Sequence, residues 1–366
     1  MKIVEIKTFK VAVPLYKPFK TALRTVTVAE SIIVEMICDN GISGWGGAPP
    51  THVITGDSLA SIEAAIEYII KPFLQNKNLL NYEALFQGLQ EILVGNSSAK
   101  AAVDMAMYDC LAQYCKMPLY QFLGGYRDEV ETDFTVSVNG PEEMGEDAVH
   151  YIQQGFNVLK VKVGKDDAAT DLGRIIEIRK RVGKEIKIRL DANQGWNAKD
   201  AIRTIRKMED LDLNIELVEQ PVKAYDLKGL KKVTDSVDTL IMADESVFTA
   251  KQALEVVKTR SADLINIKLM KAGGIYQATI INQLAEVSGV ECMVGSMIET
   301  RLGITAAAHF AASKKNITRY DFDAPLMLAK EIVEGGLIYN GRRITFPKEV
   351  GLGISQIMVK GDGADE

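Results

Sequence analysis

Val158-Leu159-Lys160-Val161-Lys162-Val163 alternates apolar and cationic residues with a period of two, so as a strand it sends Lys160 and Lys162 to one face. A buried strand face does not hold two ammonium groups without partners, because each is costly to desolvate alone. Carboxylates that can partner them recur downstream. Ile188-Arg-Leu-Asp191 ends one apolar run, Glu216-Leu-Val-Glu219 a second and Ile241-Met-Ala-Asp244 a third. Leu264-Ile-Asn-Ile-Lys268 closes a fourth with another lysine. The successive steps from Lys162 to Asp191, Glu219, Asp244 and Lys268 are 29, 28, 25 and 24 residues. Each step has room for one helix and one strand, and each begins with a charged residue at a strand's C-terminal end. That is the pattern of an α/β protein built as a (β/α) barrel with its functional groups at the top of the strands.

Outward from this core, the barrel is expected to begin near Thr132-Asp-Phe-Thr-Val-Ser-Val138 and to reach an eighth strand at Ile317-Thr-Arg-Tyr-Asp321. Helices are expected between the strands at roughly 141–154, 166–182, 198–210, 227–234, 250–258, 275–288 and 302–312. Before the barrel, residues 1–40 alternate in short runs that suggest an antiparallel meander. Lys17–Thr25 reads as a loop between its first two strands, carrying Phe19 and Arg24. Gly41–Pro50 reads as irregular because of its glycines and prolines. Helical sequence follows from Ser58 to Leu93 and again over Ala99–Tyr114, with Ser97 as the expected N-cap. The expected organisation is an α+β capping domain over 1–125, the barrel over 126–323, and a C-terminal segment, 324–366, that packs back on the cap.

At 366 residues the chain has room for a barrel of about 200–250 residues and a second domain. A net charge of −6 without a Lys/Arg-dense patch argues against nucleic acid as a partner. The opening Met1-Lys-Ile-Val-Glu-Ile-Lys7 reads as a strand and not as a signal peptide, and no run approaches the ~18 apolar residues of a membrane span. Cys38, Cys110, Cys115 and Cys292 show no CxxC spacing, which fits reduced thiols in a cytoplasmic protein.

A single carboxylate at a strand end is commonly a helix cap or half of a salt bridge. Asp191, Glu219 and Asp244 on consecutive strands converge on one mouth, where they repel one another unless a cation neutralises them. Oxygen ligands without nearby His or Cys select a hard divalent ion, Mg²⁺ first and Mn²⁺ second. Lys162 and Lys268 then bracket the metal, and Lys160 is positioned to depress the pKa of Lys162. The bland alternative is a set of ion pairs between the lysines and the acids, with no metal.

Lys160-Val-Lys162, Asp191-Ala-Asn193, Glu219-Gln-Pro221, Asp244-Glu245 and Lys268 resemble the enolase superfamily in its muconate-lactonizing subgroup. Asp321-Phe-Asp323 on the eighth strand resembles the dipeptide epimerases within that subgroup. The resemblance covers essentially the whole chain. It departs at Gly47, where the family usually has a Glu after Gly44-Trp45-Gly46. It implies a TIM-like (β/α)7β barrel, an N-terminal α+β cap completed by the C-terminal tail, and a homo-oligomer. It also implies Mg²⁺ on Asp191, Glu219 and Asp244, with Lys162 and Lys268 as opposed bases assisted by Lys160.

Two bases suit epimerisation, because a proton leaves one face of the α-carbon and another returns to the opposite face; enolase-superfamily sites with a Lys base and Mg²⁺ are a known pattern. The Asp321/Asp323 pair suits the free ammonium of a dipeptide. N-Succinylamino acid racemase and o-succinylbenzoate synthase are the alternatives, and their substrates lack that ammonium. Arg24 can pair with an acidic second residue, as in an Ala-Glu-like dipeptide. Phe19, Ile54, Met297 and Ile298, with Ser296 beside them, can equally form a pocket for a hydrophobic or aromatic one.

Overall fold

In the computed structural model, which describes residues 1–359, the chain opens with an antiparallel sheet. Its strands β1 (Ile3–Lys20), β2 (Thr25–Cys38) and β3 (Ser43–Ala48) pair in chain order. Two expectations are corrected here. Pairing of β1 with β2 slips between Pro14 and Phe19 and then resumes as Phe19 with Val26 and Lys20 with Thr25, so the connecting turn shrinks to residues 21–24. The glycine-rich stretch is strand β3 and not irregular. Its glycines answer to a neighbour: a Cβ on Gly44 would stand 2.3 Å from the Ala106 carbonyl oxygen, and one on Gly46 1.8 Å from that of Ala102. Both oxygens belong to the long helix that lies across the sheet.

That helix is α4 (Ser97–Tyr114), which follows α1 (Leu59–Ala65), a π-helical turn (Ile66–Ile70), α2 (Lys71–Leu74) and α3 (Tyr82–Glu91). Its N-cap is Asn96, in a left-handed conformation, with Ser97 as the first helical residue. The short α5 (Leu119–Phe122) and β4 (Glu129–Glu131) lead into the barrel.

The barrel strands are β5 (Phe134–Val136), β6 (Val158–Lys162), β7 (Lys187–Asp191), β8 (Ile215–Glu219), β9 (Leu240–Ala243), β10 (Leu264–Ile267), β11 (Glu291–Val294) and β12 (Ile317–Tyr320). They form one parallel sheet of eight in chain order. Between them lie α6 (Pro141–Gln153), α7 (Ala168–Val182), α8 (Ala198–Asp210), α9 (Leu227–Thr234), α10 (Ala250–Thr259), α11 (Leu269–Ala272), α12 (Ile275–Val287) and α13 (Arg301–Ala312). The α8 segment shows why such helices form. Asn197 caps it by accepting from the Lys199 and Asp200 amides, and Ala201, Thr204, Ile205 and Met208 recur every three or four residues to face the sheet. On β6 the alternation works as the sequence suggests: Leu159 and Val161 join the apolar core that also holds Ile175 and Ile178 of α7, while Lys160 and Lys162 are buried among the barrel's acids.

The seam between β5 and β12 is closed by irregular bonds. The Asp133 amide donates to the Tyr320 carbonyl, the Phe322 amide to Thr132 Oγ1, and the Thr135 amide to Asp323 Oδ2 at 2.6 Å. Among the described residues no α-helix follows β12, only a 3-10 turn at Ala324–Met327; the tail crosses instead toward the cap. It contributes β13 (Val333–Gly335) paired with β16 (Ile354–Ile357), and β14 (Ile338–Asn340) with β15 (Arg343–Thr345) beside β4. The Leu119 amide bonds to the Gly351 carbonyl, and the Leu352 amide to Asp109 of α4. The same helix reaches the barrel through Asp104, whose carboxylate accepts from the Ile275 and Tyr276 amides at the start of α12. Gly47 faces α13, where its Cβ would make ordinary contact with Leu302. All four cysteines are free thiols, three of them buried and Cys115 exposed. Among the described residues no helix is long and apolar enough to cross a membrane.

Candidate active site

Consecutive parallel strands bring their C-terminal ends to one mouth, so the charged residues spaced along the sequence meet in space. Lys160 Nζ lies 2.8 Å from Glu219, 3.1 Å from Asp191 and 2.7 Å from Asp321. Lys162 Nζ lies 2.5 Å from Asp191 Oδ2, and Lys268 Nζ 2.7 Å from Asp244 Oδ2. All these side chains are buried. Above them is a chamber with about 40 Å³ of free space. Lys162, Lys268, Ser296, Asp321 and Asp323 enter it from the barrel, and Phe19, Arg24 and Ile54 from the cap. Met297 and Ile298, in the loop after β11, complete the wall.

Burial opposes the charge on every group here, and the outcome depends on neighbours. Burial works against ionised Asp191, yet the Lys162 and Lys160 ammoniums hold it at about 2. Asp244 is likewise held below the ordinary carboxylate range by Lys268 and Lys271. Burial, with the charge of Asp191, pushes Glu219 up to about 7, and burial beside Asp244 pushes Glu245 up to about 8. Burial lowers Lys160 and Lys268, but the surrounding carboxylates outweigh it, and both stand above the ordinary lysine value. Lys160 is therefore a bridge among the acids Asp191, Glu219 and Asp321.

The donor chemistry fits a hard divalent cation. Glu219 Oε2, Asp244 Oδ1 and Glu245 Oε2 are buried without a well-aligned hydrogen bond, although Lys160 and Lys271 stand 2.8 Å and 2.6 Å from the first two. Among the described residues no three acidic, His or Cys side chains form a ready-made cage. The ammonium groups of Lys160 and Lys268 lie between the carboxylates that would have to draw together.

Several supporting residues stand outside the strand-end spacing. Gln220 accepts from the Asp244 and Ser246 amides and donates to Val222 and Ser246, tying the end of β8 to the end of β9. It does so with φ +39, and Asn193 and Gln194 at the end of β7 also have positive φ. Non-glycine residues in that region hold strain that the surroundings must impose, and such residues cluster at functional sites. Lys271 is buried against Asp244 Oδ1 and the carbonyls of Val247 and Asn266. Asn266 Nδ2 donates to Glu219 Oε1 at 2.7 Å. Glu299, pushed up to about 7 by burial, accepts from the Met297 amide and so shapes the wall loop.

Asp321 and Asp323 do enter the chamber, but Asp321 already has a cation, which the sequence did not show. Its partner is Lys160. Asp323, pushed up to about 7 by burial and by Asp321, is held by the Thr135 amide. Arg24, by contrast, has no ion-pair partner among the described residues. Burial lowers its pKa from the ordinary arginine value.

Residues 143–357 match the family model described as enolase C-terminal domain-like. Residues 3–124 match the N-terminal domain model of mandelate racemase / muconate lactonizing enzyme. The chain is 66% identical over 363 residues to the L-Ala-D/L-Glu epimerase of Bacillus subtilis, covering 99% of each chain. A substrate-liganded structure of the B. subtilis epimerase superposes with a TM-score of 0.97, covering 98% of this chain and 100% of that one. The dipeptide epimerase from Enterococcus faecalis, complexed with Mg and L-Leu-L-Tyr, is 45% identical with a TM-score of 0.94, covering 97% and 100%. An N-succinyl-L-Arg/Lys racemase of Bacillus cereus is more distant, at 36% identity over 97% of this chain and 95% of its own.

Proposed function

The chain belongs to the enolase superfamily, and from that membership we propose that it is a Mg²⁺-dependent dipeptide epimerase preferring an acidic C-terminal residue, as in Ala-Glu. The observation that carries the reading is that two lysines from well-separated strands, Lys162 and Lys268, reach one chamber whose wall also holds Asp321, Asp323 and Arg24. An N-acylated substrate would leave the two aspartates without a substrate charge to meet.

In this reading Asp191, Glu219 and Asp244 hold the metal. Bound there, Mg²⁺ supplies fixed positive charge against the negative charge that develops on the substrate carboxylate. The chain's own residues do the rest. Asp323 and Asp321 hold the substrate's ammonium, and Arg24 holds the side-chain carboxylate of the second residue. Lys162 or Lys268, as the amine, takes the α-proton from its face and leaves an enediolate. The other lysine, as the ammonium, returns a proton to the opposite face, inverting the carbon. The cap residues Phe19 and Ile54 close over the chamber and keep water from quenching the carbanionic carbon.

The test is incubation of L-Ala-L-Glu in D₂O with and without Mg²⁺, following epimer formation and deuterium at the glutamate α-carbon. Epimerisation with deuterium uptake that stops on chelation is expected. Full turnover in excess chelator, or N-succinylated amino acids processed as well as the free dipeptide, overturns the reading.

A further inference from the structure

The chamber is small, and it has a large neighbour. A cleft of about 790 Å³ lies alongside it, where α6 and the tail face each other across the barrel seam between β5 and β12. Two residues, Phe19 and Thr135, line both spaces. The Phe19 ring is buried and stands between them. The cleft floor is aromatic: Phe134 stacks on Tyr151 with centroids 3.9 Å apart and meets Phe156 edge-on at 4.9 Å. At its rim Lys17 is held 2.7 Å from Asp147 on α6.

We infer that Phe19 is a partition that sets the size of the substrate's N-terminal side chain, and that the cleft behind it is a subsite for an aromatic N-terminal residue once the ring is removed. This rests on the dipeptide reading above. The connection is Asp323. Its carboxylate accepts the Thr135 amide, so an ammonium held by Asp323 lies beside the Phe19–Thr135 wall. The side chain on the carbon bearing that ammonium is the part of the substrate nearest the wall. With Phe19 in place that side chain has only the chamber's own space, which suits alanine. Without the ring it reaches a floor on which another aromatic ring can stack, in the offset or edge-on geometries such rings favour. Arg24 and Ile298 line the chamber but not this cleft, so the preference for the second residue is set separately.

The test is the ratio of kcat/KM for L-Phe-L-Glu to that for L-Ala-L-Glu in the parent, Phe19→Ala and Phe19→Leu. The ratio cancels any loss common to both substrates, including one from Lys162, whose ammonium faces the Phe19 ring at 5.7 Å. A rise of at least tenfold is expected in Phe19→Ala and a smaller rise in Phe19→Leu, which reports alone if the alanine variant does not fold. Adding Gln154→Trp, which fills the cleft from its exposed rim, should reverse the gain. An unchanged ratio with L-Ala-L-Glu still turned over overturns the partition, as does a gain that survives Gln154→Trp. Failure of the parent on L-Ala-L-Glu would instead remove the dipeptide reading itself.

Discussion

Lys160 and Asp321 meet at 2.7 Å across the seam of the barrel sheet, and the same nitrogen reaches Asp191 and Glu219. One buried ammonium thus joins the carboxylates assigned to the metal with the carboxylate assigned to the substrate's amine. Removing one partner of a buried ion pair strands the others, at a cost of about 3–5 kcal/mol. Lys160→Met is expected to lose that much in chemical unfolding under chelating conditions, and to regain part of it with Mg²⁺. Equal stability of variant and parent in chelator would refute the bridging role.

Lys162→Ala and Lys268→Ala are each expected to stop epimerisation. Each should still exchange the α-proton of the one stereoisomer that faces its surviving lysine. Mass shifts in D₂O from pure L,L and pure L,D substrate report this, and normal epimerisation by Lys268→Ala would show the two-base assignment to be wrong.

Among the described residues Arg24 has no ion-pair partner, so its cation is available to a substrate carboxylate. A hydrogen bond to a charged group contributes roughly 1.5–3 kcal/mol, or about ten- to a hundredfold. Arg24→Met should lower kcat/KM for L-Ala-L-Glu by that factor and leave L-Ala-L-Leu within about threefold, a specificity readout that global damage would not produce. Parallel losses on both substrates count against the assignment.

Acetylating the dipeptide's N-terminus removes the charge that Asp321 and Asp323 would meet. The specificity constant should fall at least about tenfold. Asp323→Asn should narrow the difference between free and acetylated substrate; an acetylated dipeptide that reacts as fast as the free one argues for an N-acyl substrate.

His309 on α13 is buried and accepts from the Tyr120 amide through Nδ1, and burial holds its pKa down at about 3. The unfolded chain takes up that proton near the ordinary histidine value of about 6.5, and the folded chain does not. Stability from this group is therefore intact above about pH 6.5 and is lost as pH falls toward 3, at about 1.4 kcal/mol per unit. Between pH 7 and pH 5, His309→Gln should lose about 2 kcal/mol less than the parent in urea unfolding. Identical pH slopes would contradict it.

How much of this was readable in the residues differs from element to element. The seven expected barrel helices fall within two residues of their expected bounds, because apolar periodicity and capping residues are local signals, whereas the four-residue α11 was not expected. The strand over Ser43–Ala48 was missed because its glycines look like turn residues until α4 is seen lying against them. Asp191, Glu219, Asp244 and the lysines stood out as charges at strand ends. Gln220 and Lys271, which orient Asp244, did not: an amide after a glutamate and a lysine in a short helix have no pattern until the loops fold over them. The partner of Asp321 lies 161 positions earlier in the chain, and nothing at either position announces the other.

Asp109 carries a different implication. Its buried carboxylate accepts from the Trp45 amide and from the Leu352 amide, and burial pushes it up to about 6. As the ribosome delivers the chain, the first 125 residues emerge long before Leu352 exists to satisfy that oxygen. The Asp109 oxygen gains its Leu352 donor only after the barrel has been synthesised. A ribosome stalled anywhere in the barrel would present a cap that still lacks this contact with the tail.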